Sequence, residues 1–175
     1  MHRSPLSPSL LVAIALFTPA LRGQQASSAC RLLQVGELEA AIGGKASTKP
    51  AGSVQTVPGM TLDECSVVLS GSATTHPVAI RIVSKLGMDG AQAITIRNTG
   101  TAREAQWKVA GARLEQAKVG NAICILTGRP SVASNSTCSV PRGDGYVELD
   151  VIGPVGALPS LATVGALVQK AVSRL

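Results

Sequence analysis

Four cysteines, one histidine beyond the leader region and a pair of alternating carboxylates are the residues with which this chain could do chemistry. Cys30, Cys65, Cys124 and Cys138 form no C-x-x-C pair, so they lack the ligand spacing of a zinc module and the dithiol of a redox enzyme. His76 would have to act alone as a histidine general base, and its place before Pro77 beside a turn predicts an exposed ring. Ser72 lies four residues away, but no G-x-S-x-G surrounds any serine, so the elbow that activates a nucleophile is missing. Glu148 and Asp150 share one strand face with Tyr146 while Val147, Leu149 and Val151 take the other. Two carboxylates so placed resemble the acid and nucleophile of a glycosidase, which makes a small secreted hydrolase an alternative function. The solvated face of an amphipathic strand accounts for them more simply and is the preferred reading.

What the cysteines do depends on the compartment. Met1 to Arg3 is a short basic start, an apolar run covers residues 10–21, and a small polar stretch precedes Cys30. That is the layout of a secretory signal peptide, with cleavage favoured after Gly23. Export to an oxidising space makes all four cysteines disulfide partners. Chain order favours Cys30 with Cys65, tying the entry of the first helix to the first strand, and Cys124 with Cys138, bridging neighbouring strands. Lipid anchoring at Cys30 is a minority alternative, because residues 27–29 offer no aliphatic residue and lie well beyond the apolar run. The run of about a dozen apolar residues is also short of the ~20 that cross a bilayer, so no stable membrane insertion is expected.

About 150 residues then remain, enough for one domain that buries about two thirds of its unfolded surface. Organisation is read as signal peptide 1–23, a short polar segment 24–29 and a single domain 30–175. Trp107 and Tyr146 are the only aromatics left once Phe17 goes with the leader. Aliphatic residues must fill the core, and no stacking platform for single-stranded nucleic acid exists. The net charge of +6 loses two units with Arg3 and Arg22. The remaining basic residues are scattered, so a nucleic-acid footprint is unsupported and at most weak contact with an anionic envelope surface is expected. No cofactor and no metal are implied.

The elements that must position these residues follow from periodicity. Residues 33–44 read as a helix with Leu38, Ala41 and Ile42 on one side and Gly43-Gly44 as its stop. Residues 45–59 are rich in Gly, Pro, Ser and Thr and read as a loop; Gly43-Gly44-Lys45 at its entry lacks the first glycine and the Ser or Thr of a phosphate loop. Alternation of Cys65, Val67 and Leu69, then of Val78, Ile80 and Ile82, predicts a hairpin around residues 71–74. Two helices, 89–97 and 101–109, are expected on either side of Asn98-Thr99-Gly100. A strand at 119–126, a polar loop at 127–135, a strand around Cys138, a turn at 141–145 and a strand through Tyr146 to Val151 follow. The last helix is expected to begin near Pro159, with Leu161, Val164, Gly165, Val168, Val172 and Leu175 as its apolar stripe. This order predicts an α+β fold: an antiparallel sheet with helices packed on one face, stapled by disulfides. Arg142-Gly143-Asp144 spells an adhesion tripeptide, but its residues are those a tight turn needs. Asn135-Ser136-Thr137 is a glycosylation sequon.

Cys30-Arg-Leu-Leu, the run from Gly36 through Glu-Leu-Glu-Ala-Ala-Ile to Gly43, Glu64-Cys65-Ser66, Val119-Gly-Asn-Ala122, Arg142-Gly-Asp144 and a small-residue C-terminal helix together resemble a family of secreted bacterial envelope proteins and lipoproteins of unknown function. The resemblance implies an α+β domain outside the cytoplasm and no catalytic residues; the chain departs from it at Gln34, where Ser or Thr is usual, and in its poor acylation site. The expected function is a secreted or periplasmic non-enzymatic domain that binds a protein partner or a small ligand. A secreted enzyme inhibitor presenting loops 45–59 and 127–135 is the other alternative. Mass spectrometry of the exported protein is expected to find an N-terminus between Leu21 and Ser27 and no lipid on Cys30.

Overall fold

The computed structural model describes residues 27–71, 74–106, 113–129 and 132–175. Long alternating segments dominate the chain after residue 44, and they pair into an eight-stranded antiparallel sheet. Its strands are β1 (Lys45–Ala46), β2 (Ala51–Val57), β3 (Met60–Ser70), β4 (Thr75–Ser84), β5 (Arg113–Val119), β6 (Ala122–Arg129), β7 (Val132–Arg142) and β8 (Gly145–Gly153). The order is β1-β3-β4-β8-β7-β6-β5, with β2 beside β1 along the outer side of β3. Strand β8 therefore sits between two hairpins, β3–β4 and β6–β7, and is paired on both sides.

Leu69, Val67, Cys65, Val78, Ile80, Val151, Leu149, Val147, Cys138 and Cys124 point to one face and are essentially closed to solvent. Three helices cover that face: α1 (Ala29–Leu32), α2 (Val35–Ile42) and α4 (Leu161–Val172). Helix α2 ends where Gly43 and Gly44 take φ of 90° and 84°, the positive values that only glycine adopts cheaply. Gln34 stands at its N-cap without a side-chain cap bond. Helix α4 starts at Ser160, whose hydroxyl accepts from the Thr163 N–H, so Pro159 precedes the cap instead of opening the helix. Leu161, Val164, Gly165, Val168 and Ala171 form the buried stripe of α4, while Leu175 is exposed.

The α+β class is as expected, and a fourth helix, α3 (Gly90–Gln106), lies across the opposite face of β5 to β8. It runs through Asn98-Thr99-Gly100 as one helix. A single glycine costs only about 1 kcal/mol in a helix, and docking on the sheet outweighs it. Entry to α3 is fixed by backbone: Leu86 N–H donates to the Asp144 carbonyl and Gly90 N–H to the Gly143 carbonyl. A side chain on Gly90 would strike the Gly145 carbonyl, so the helix start lies directly on the β7–β8 turn.

Two expected loops are corrected, and one strand is added. Residues 45–59 are largely strand, because β2 pairs through all seven of its residues with β3; an edge strand with six of its seven residues exposed shows no apolar period. Much of 127–135 belongs to β6 and β7. Strand β5 pairs with β6 across a turn in which Gly120 has φ of 56°, a partner absent from the sequence reading. Residues 72–73 and 107–112, which include Ser72 and Trp107, lie outside the described residues.

Both expected disulfides are present, and no described cysteine is free. Cys30–Cys65 joins α1 to β3 with Cα atoms 4.9 Å apart, and Cys124–Cys138 links directly opposed residues of β6 and β7 at 4.1 Å. Closing loops of 35 and 14 residues limits the unfolded chain by about 4 and about 3 kcal/mol respectively. Cys30→Ala with Cys65→Ala is accordingly expected to lower the denaturation midpoint more than Cys124→Ala with Cys138→Ala. Equilibrium unfolding in urea checks the order, and non-reducing peptide mapping checks the pairing.

Candidate functional site

The polar residues of strands β3, β4, β7 and β8 that alternate with the aliphatic core all point to the α3 face. Sheet register sets them in two rows. Glu64, Arg81, Glu148 and Ser139 stand opposite one another across β3, β4, β8 and β7, and Ser66, Ala79, Asp150 and Thr137 form the next row. Ala79 leaves room beside Asp150, and the Arg81 side chain spans the gap.

Arg81 is the hub. Its Nε donates to Glu64, and its Nη1 donates to Asp150 and, at 3.2 Å, to Glu148. Ser139 Oγ donates to the second oxygen of Glu148 at 3.0 Å, and Thr137 Oγ1 donates to Asp150. From above, Arg97 of α3 pairs with Glu148. Ile94 and Ala93 of the same helix are buried alongside. Burial opposes the charge on Arg81, but the nearby Asp150 and Glu64 carboxylates outweigh it and hold its pKa above the usual arginine value.

The solvated-face reading of Glu148 and Asp150 is corrected here. Their exposures are 2% and 4%, because α3 roofs the row and arginines replace water as their partners. Tyr146, on the same strand face, is half-buried. Neither carboxylate is open to a substrate: each oxygen pair already accepts from Arg81 and from a hydroxyl. A glycosidase pair needs one carboxyl held protonated and both facing a cleft, and this row offers an ion cluster of three carboxylates and two guanidinium groups under a helix instead. Arg81, Arg97 and Ser139 were not singled out from the sequence, and Glu64 and Thr137 were named only within other motifs. The available signal was that Glu64 and Arg81 both fall on the polar side of the predicted hairpin.

His76 is likewise corrected from exposed to buried, at 4%. Its ring occupies the space that a side chain on Gly153 would take, and its Nδ1 lies 3.2 Å from the Ile152 carbonyl oxygen. Since a carbonyl only accepts, Nδ1 carries the proton. The ring is locked in the sheet, away from the carboxylate row on the other face.

The remaining motifs have structural roles. Arg142, Gly143 and Asp144 are exposed at the β7–β8 turn, where Gly143 has φ of 53°, and two of their carbonyls anchor α3. Asn135-Ser136-Thr137 lies within β7, paired on both sides, with Ser136 and Thr137 buried, so it is not the exposed loop an acceptor asparagine needs. Among the described residues no group of three His, Cys, Asp or Glu side chains is placed to hold a metal ion. No described helix is long and apolar enough to cross a membrane.

A second polar cluster fixes the start of the domain. Asp63 of β3 accepts from the Ser27 and Ser28 hydroxyls and, at 2.9 Å, from the Ser28 N–H. Burial raises the Asp63 pKa, and these hydrogen bonds outweigh that effect, leaving it below the ordinary aspartate value. At the far end, Arg174 holds Glu37 through two bonds of 2.6 and 2.7 Å and donates to the Leu32 carbonyl at 2.9 Å. Both clusters serve to dock helices.

A depression of about 210 Å³ lies beside the ends of β4 and β8, lined by Ile82, Val83, Ser84, Arg142, Asp144 and Tyr146. It is smaller than the ~300–1,000 Å³ of a typical small-molecule site. Neither a family model nor a curated protein matches this chain.

Removing the hub tests the cluster. Arg81→Ala leaves two buried carboxylates without their main partner and is expected to cost about 3–5 kcal/mol of stability, whereas Arg81→Ala combined with Glu148→Gln and Asp150→Asn recovers more than half of that loss. Urea denaturation of the set measures it. The depressed Asp63 value gives a pH dependence: the aspartate's contribution is complete above its unfolded pKa of about 3.9 and is lost as pH falls through the lower folded value. Wild-type protein should therefore lose more stability than Asp63→Asn on going from neutral pH to below about pH 4, as read by thermal unfolding at each pH.

Proposed function

We propose that this is a non-enzymatic domain, exported from the cytoplasm, that works by binding a protein partner. The observation that carries the reading is the state of the Glu148–Asp150 pair. The residues best suited to catalysis by type and spacing are roofed by α3 and held by Arg81, Arg97, Ser139 and Thr137, and the only described histidine is buried on the opposite face. Two disulfides support an oxidising compartment, and the basic and apolar start of the chain supports export as the route there. A protein partner is favoured over a small ligand because β2 presents seven uncharged residues whose outer side pairs with no described strand.

The inhibitor reading takes a different form from the one the sequence suggests. The segments expected as presenting loops are mostly strands, so an inhibitor of this fold would present a strand edge or a hairpin end. The hydrolase reading would need α3 to lift from the sheet and release Glu148 from two arginines.

Glu148→Gln and Asp150→Asn separate these readings. Assayed on a panel of glycoside and ester substrates, the exported wild type is expected to show no turnover beyond that of either variant. A turnover that vanishes in both variants while circular dichroism shows the fold retained would overturn the binding reading.

A further inference from the structure

The two edges of the sheet are treated differently by the sequence. Strand β5 at one edge carries Arg113, Glu115 and Lys118, the kind of charged sequence that keeps an edge from pairing with another chain. Strand β2 at the other edge reads Ala-Gly-Ser-Val-Gln-Thr-Val. It has no charge, no internal proline and an unbroken register with β3 from Ala51↔Ser66 to Val57↔Met60. Six of its seven residues are exposed, and Val54 is half-buried. Among the described residues its outer side pairs with no strand. Such an edge is a template for strand addition.

We propose that β2 pairs antiparallel with β2 of a second copy of this chain, about a two-fold axis at Val54. Symmetry and charge both point to a second copy. Pro50 and Pro58 bracket the strand, and proline has no N–H to give to a ladder. Centring on Val54 places Pro50 of one copy opposite Pro58 of the other, so both prolines fall just outside the shared ladder. Any other antiparallel register sets a proline against a strand residue. At this register Val54 meets Val54, Ser53 meets Gln55, Gly52 meets Thr56 and Ala51 meets Val57, all uncharged, with two β-branched side chains meeting on the axis. The nearby cations also fit. Lys49 of one copy stands opposite Gly59 of the other, about 34 Å along the strand from the second Lys49 at ~3.4 Å per residue. That is far beyond the ~8 Å screening length of physiological salt. A parallel pairing would set the two lysines side by side. A seven-residue strand pair is small against a standard interface of about 1,600 Å², so the dimer is weak and concentration-dependent.

The inference rests on the binding reading and fails separately from it, since a monomer without turnover would leave that reading standing. Ser53 and Gln55 are exposed, so substitutions there spare the fold. Sedimentation of the disulfide-intact mature protein over a wide concentration range is expected to show a monomer–dimer equilibrium. Ser53→Lys with Gln55→Lys should weaken self-association at least about tenfold, as should Ser53→Glu with Gln55→Glu, because each places like charges opposite one another. Mixing the lysine and glutamate variants should restore a dimer, this time a mixed one. A wild type that stays monomeric throughout, a dimer indifferent to both variants, or variants that do not recover on mixing would each overturn the proposal.

Discussion

Arg81 settles how a sheet that carries carboxylates on one face can be covered on that face. It stands on β4 between β3 and β8, and one guanidinium reaches Glu64 on the first neighbour and both Glu148 and Asp150 on the second. Without it, Asp150 would be buried with no described cation beside it and Glu148 with Arg97 alone, a cost of several kcal/mol for an unpaired buried ion. With it, the carboxylates become the acceptors that fix β8 beside β4, and Glu148 keeps an oxygen for Arg97 of the roofing helix. The planar fork of arginine suits this role, since it can meet three acceptors in one plane while a lysine ammonium could not.

The aliphatic side of the sheet was legible because local rules and tertiary packing agree there. Cys65 to Leu69, Val78 to Ile82 and Val147 to Val151 alternate cleanly, and all three runs face α1, α2 and α4. The disulfide pairing was legible for the same reason, since each cysteine sits on an element whose neighbour follows from chain order. The other face was not legible. Glu148 and Asp150 look like surface residues until the register places Arg81 beside them, and that register joins residues 67 and 69 positions apart. Strand β2 escaped notice for the opposite reason: an edge strand that buries no large side chain carries no alternation to read. Helix α3 runs past a Thr-Gly pair that local propensity marks as a break.

Near Ser27 and near Arg174 the described chain is fastened by polar groups. Ser27 and Ser28 are tied to Asp63, and Cys30 is bonded to Cys65 two residues further along the same strand. Arg174 closes the other end on Glu37 and the Leu32 carbonyl. Helices α1 and α2 are four and eight residues long, too short to be stable alone, and these ties hold them against the sheet.

The two faces of the sheet differ in kind. One is a mainly aliphatic layer crossed by two disulfides; the other holds a charge cluster under a helix. Attraction between apolar groups weakens on cooling, and the cost of stripping water from ions falls on heating. Both faces therefore gain relative strength with warmth and lose it in the cold, so cooling erodes the two layers together. Salt separates them in another way: it screens the more exposed Arg174–Glu37 and Lys170–Glu37 pairs that tie α2 to α4 more than the buried arginine–carboxylate cluster under α3. Ionic strength is thus a handle on the ion pairs nearest the surface, while temperature is a handle on both layers.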